Sequence, residues 1–71
     1  MTPAEVARAL VAEDLARAVQ AAEAGDPDGV RTWCRWADQA ATAWYRAIAA
    51  EAAEAAEDRR RARRLEAEVA G

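Results

Sequence analysis

Three groups of side chains in this 71-residue chain have reactive or ligand-binding character. They are the single thiol of Cys34, the carboxylates of Glu51, Glu54, Glu57 and Asp58, and the guanidinium groups of Arg59, Arg60, Arg61, Arg63 and Arg64. A thiol attacks carbon or binds a metal only when a base or a cationic neighbour holds it as thiolate. The chain contains no His to act on Cys34. This cysteine falls on the apolar side of its helical pattern while the nearby arginines point elsewhere, so a buried, inert thiol is expected. The four carboxylates lie at helical spacing, yet helical di-metal sites usually add His at a set interval, and none is present. They read as a solvated helix face held by salt bridges, with no metal site. His, Lys, Ser, Asn and Phe are all absent. Most general bases, the usual nucleophilic hydroxyl and every imidazole ligand are missing with them. No enzyme, cofactor or small-molecule substrate is expected.

The arginine cluster has two readings. Five guanidinium groups at residues 59–64 would grip phosphates, as in a nucleic-acid accessory protein acting through Arg59, Arg60, Arg61, Arg63 and Arg64. Against this, the whole chain carries a net charge of -3, and the basic block is flanked by acid on both sides. In an antiparallel pair of such helices crossing near residues 58 and 59, Glu57 faces Arg60 and Glu54 faces Arg63 of the other chain. The block is then self-complementary, and such patterns set register and orientation more than affinity. Protein pairing is the leading expectation. A small acidic inhibitor or adaptor that occupies a basic site on another protein is a third. Within the helix, Glu57 with Arg61 and Arg64 with Glu68 are expected pairs, each worth only ~0.2–0.5 kcal/mol.

The elements that carry these groups are legible from their ends. Thr2-Pro3-Ala4-Glu5 is a capping box with proline at the first helical position, and nothing breaks the helix before Gly25. Asp26-Pro27-Asp28 restarts a helix at once, and from Val30 to Ala70 there is neither Gly nor Pro. A helix over 3–24, a turn at 25–27 and a helix from 28 onward follow. At 1.5 Å per residue the first helix is ~33 Å long and the second ~65 Å. The fold class is all-α: an antiparallel two-helix hairpin over residues 3–50, with a long second helix whose charged C-terminal stretch, 51–71, extends beyond the first. Oligomerisation into a coiled-coil-like helical bundle is expected to complete it.

Of the apolar residues, 23 are Ala and only 13 are Val, Leu, Ile, Trp or Tyr, so one chain owns a thin core. Val30, Trp33, Cys34, Ala37, Ala41, Trp44, Tyr45 and Ile48 fall in one stripe, with Arg31, Arg35, Gln39, Thr42 and Arg46 opposite. Ala7, Val11, Leu15, Ala18, Val19 and Ala22 form the facing ridge of the first helix. Trp33 and Trp44 are the expected anchors of the hairpin rather than a base-stacking platform. Val6 and Leu10 project to a different side and call for a second chain. Trp36, at the edge of the stripe near Ala43 and Ala47, is the expected hot spot. The partner-binding set is therefore Val6, Leu10, Trp36, Glu54, Glu57, Arg60 and Arg63. Farther on, Ala52, Ala55, Ala62, Leu65 and Val69 make a narrow seam for another helix.

Gly25-Asp26 followed by Asp28, Trp33, Cys34 and Ala37 is similar to the turn and second helix of a tetratricopeptide hairpin over about 15 residues. The first helix lacks that family's large aromatic positions, and the resemblance implies no function. One cysteine forms no internal disulfide, no run reaches the ~18 apolar residues that span a bilayer, and the start has no leader-like pattern. The expected setting is the cytoplasm, or an assembly made there. The expected work is protein–protein interaction, most simply with a second copy of the same chain and away from membranes.

Overall fold

A computed structural model describes residues 1–71, and the chain is two helices: α1, Pro3–Glu23, and α2, Pro27–Ala70. The Thr2 hydroxyl accepts the Glu5 amide at 3.2 Å, and Pro3 opens the first turn. At the other end Ala24 is the C-cap and Gly25 takes φ +70, the left-handed conformation that costs glycine nothing. The Gly25 amide donates to the Ala22 carbonyl at 3.1 Å and the Asp26 amide to the Ala21 carbonyl at 2.9 Å, closing a Schellman motif. Asp26 then caps α2 by accepting the Gly29 amide at 3.0 Å. Both helix limits differ by one residue from those expected: α1 stops at Glu23, and Pro27 already belongs to α2.

The turn lays the helices side by side and antiparallel. In α1 the inward residues are Ala4, Ala7, Val11, Asp14, Ala18 and Ala21, spaced alternately three and four apart. In α2 they are Val30, Trp33, Ala37, Ala40, Trp44 and Ala47, with the same spacing, and Ala41 at the edge. Only Ala4, Ala7, Ala18 and Ala37 are buried. Trp33 and Trp44 are half-buried, so they do line the hairpin as anticipated.

Ala7, Val11, Ala18, Val30, Ala37 and Ala41 also lie where expected, and the remainder of the expected core is displaced. Leu15 and Val19 of the α1 ridge, and Tyr45 and Ile48 of the α2 stripe, are exposed, and so are Ala22 and Cys34. The reason is steric. Ala4, Ala7 and Ala18 of α1 leave room between the helices for the half-buried indoles of Trp33 and Trp44, room that Leu15 or Val19 turned inward would take up. The hairpin therefore turns alanines of α1 inward opposite Trp33 and Trp44 and places Leu15, Val19, Tyr45 and Ile48 on a flank.

Thr2 and Pro3 share a shallow hollow with Ala47, Ala50, Glu51 and Glu54, which marks where α1 runs out beside α2. Beyond it α2 continues alone. The molecule measures 69 × 16 × 11 Å with a radius of gyration of 19.6 Å; a compact chain of this length has ~11 Å.

Candidate functional site

The surface divides into two flanks of the hairpin and the overhang of α2. One contact identifies which sides of the helices lie together: the Arg17 guanidinium sits 4.9 Å from the Trp33 ring centroid. Arg17 shares the side of α1 that carries Val6 and Leu10, and Trp33 leads on α2 to Trp36, Ala40, Ala43 and Ala47. Val6, Leu10 and Trp36 therefore stand on one flank. All three are exposed, Trp36 at 53%. Glu13 holds Arg17 at 3.1 Å on the outer edge. Glu54 lies at the foot of this flank, in the hollow beside Pro3 and Ala50.

The second flank was not anticipated. Leu15 and Val19 of α1 stand there with Cys34, Ala41, Tyr45 and Ile48 of α2. Tyr45 is 66% exposed although its ring stacks on Trp44 at 5.7 Å. Cys34 is thus a solvent-exposed free thiol, not the buried one expected. A signal for this flank was present in the sequence. Tyr45, Ile48, Ala52 and Ala55 repeat at three and four along α2 and continue past the end of α1.

On the overhang, Glu57 accepts Arg60 at 3.1 Å and Arg64 at 3.4 Å, and Asp58 pairs with Arg61 at 3.6 Å. The anticipated pairs Glu57 with Arg61 and Arg64 with Glu68 do not form. Glu57 reaches its neighbours three and seven residues on, and Asp58, one step along, takes Arg61. Arg59 and Arg63 join no ion pair. These pairs are solvent-exposed and contribute well under ~1 kcal/mol each. Glu57, Arg60, Arg63 and Arg64 line one open hollow, beyond the reach of Val6, Leu10 and Trp36 of the same chain.

No group of His, Cys, Asp or Glu converges to hold a metal ion. No helix is long and apolar enough to cross a membrane. The third hollow, at the turn between Ala22 and Arg31, is wide open to solvent. No family model matches the chain, and no curated protein or solved structure is significantly similar to it.

Proposed function

We propose that this chain is a non-enzymatic assembly module: it associates with a second copy of itself and presents the Val6, Leu10 and Trp36 flank to a protein partner in a larger complex. The observation that carries the reading is the exposed surface. The chain exposes 5612 Å², whereas a compact monomer of 7.7 kDa exposes ~4,300 Å². The excess is ~1,300 Å², more than the ~800 Å² that each partner contributes to a standard stable interface. Ten large apolar residues lie on that surface, and the buried set is four alanines. An exposed Trp beside Val6 and Leu10 has the composition of an interface centre, and the alternating acidic and basic blocks of the overhang serve orientation.

The specific form is an antiparallel homodimer of four helices with coiled-coil-like packing, working in the cytoplasm or in an assembly made there. Light scattering after size exclusion at micromolar concentration tests it. A mass of twice 7.7 kDa or more is expected. A fully helical monomer refutes the reading.

A further inference from the structure

The flank carrying Leu15, Val19, Tyr45 and Ile48 has an occupant that the chain itself supplies. The overhang, residues 51–70, is 20 residues or ~30 Å of helix, and α1, 21 residues long, is ~32 Å. The free end of one copy is therefore as long as the hairpin of another. Along α2 the residues Tyr45, Ile48, Ala52 and Ala55 keep the three-and-four spacing of a helix-pairing seam, and Ala62 and Val69 carry it to the tip of the overhang at intervals of seven, with Arg59 and Glu66 at the positions between. We propose that the overhang of a second copy lies on this second flank, and reciprocally, so that the two α2 helices run antiparallel over their full length about a two-fold axis near Ala50. The inference rests on the self-association reading above and says which surface closes the dimer.

Three features of the chain fit this register, in which residue i meets a partner residue near position 100 - i. Bulk meets small: Tyr45 stands opposite the partner's Ala55, and Ile48 opposite the partner's Ala52. α1 then runs alongside the partner's overhang, with Leu15 level with the partner's Leu65 and Val19 with the partner's Val69; all four are exposed in the single chain. Charges also match. Asp38 comes beside the partner's Arg59, and Arg35 beside the partner's Glu66. None of these four residues joins an ion pair within one chain. Because a two-fold contact uses the same patch twice, the arrangement closes at two copies. It leaves Val6, Leu10 and Trp36 facing outward for the larger complex.

The test uses the full chain with Cys34→Ala and one nitroxide label, at Ala50→Cys or at Ala67→Cys, and reads the distance between labels in the dimer by pulsed electron resonance. Labels at position 50 should lie within ~25 Å of each other, and labels at 67 should be ~50 Å apart, from twice 17 residues at 1.5 Å. Similar distances at the two sites would mean a parallel pair, or a crossing of the overhangs alone near residue 58. Either result overturns the inference and leaves self-association standing. A monomeric Cys34→Ala chain by light scattering overturns both. Independently, Ile48→Glu should convert the dimer to monomer at ~10 μM while Leu10→Glu leaves it intact, and the reverse pattern counts against the second flank.

Discussion

If folding and association are one event, the melting temperature must depend on concentration, and the size of the effect follows from chain length. Two chains of 71 residues, at ~2.1 cal/mol/K per residue near 60 °C, unfold with an entropy of about 0.3 kcal/mol/K per dimer. Each tenfold dilution removes ~1.4 kcal/mol of association free energy. The midpoint should then fall by about 5 °C per tenfold dilution, or ~10 °C between 300 and 3 μM. Circular dichroism at 222 nm, in cells of different path length, reads this directly, because nearly every residue is helical and the signal vanishes with the helices. The structure makes the outcome sharp: a chain with four buried alanines holds little in reserve once the second copy leaves. A midpoint constant to within 1–2 °C over that range would refute the reasoning, since it would mean that the isolated hairpin is stable on its own alanine seam.

Other consequences are local. A Cβ on Gly29 would lie 2.9 Å from Asp26 Cγ and 3.1 Å from Ala21 Cβ, so Gly29→Ala should not bring the ~1 kcal/mol gain usual for Gly→Ala in a helix. In an Asp26→Ala background that gain should reappear, and thermal melts of the four chains make the comparison. Gly25→Ala meets no atom within 4 Å but must hold φ +70, so it should lose about 1 kcal/mol through backbone strain alone, with Gly25→Asn losing less. Duplex DNA or RNA should show no mobility shift at 50 mM salt, because the net charge is -3 and Glu57 and Asp58 already engage three of the five clustered arginines. A shift that weakens ~10-fold or more by 200 mM would place phosphates on Arg59 and Arg63 instead.

The helix ends were legible in the sequence to within one residue because each cap is a local event among a few residues. Thr2 with Glu5, Gly25 at the stop and Asp26 at the restart all appear as hydrogen bonds or dihedrals. The rotation of each helix about its axis was less legible. Alanine is the majority apolar residue, it sits on every side of α1, and a wheel of identical small residues carries no angular preference. Counting apolar positions favoured Leu15 and Val19 as the ridge. The decisive quantity was the room that Trp33 and Trp44 take between the helices, which selects Ala4, Ala7 and Ala18 on α1 and turns Leu15 and Val19 outward. The same rotation exposed Cys34, Tyr45 and Ile48 and created the second flank. Val6, Leu10 and Trp36 lie far enough from either seam that a small rotation left them outside.

An alanine seam is a particular solution to helix pairing. Burying one methyl group contributes ~0.8 kcal/mol, against ~1.5–3 kcal/mol for a Val, Leu or Ile side chain. The hairpin thus buries only alanines fully, keeps Trp33 and Trp44 half-buried between the helices, and leaves Leu15, Val19, Tyr45 and Ile48 on the surface. That distribution supports the proposal that the chain works as a subunit. On the proposed assembly, the seam holds α1 beside α2 and the larger side chains along both flanks supply the energy when other helices arrive. It follows that a polar substitution at Ile48, which is exposed within one chain, should lower helix content as well as mass. Equal helicity in an Ile48→Glu monomer and the native chain would show instead that the seam alone suffices.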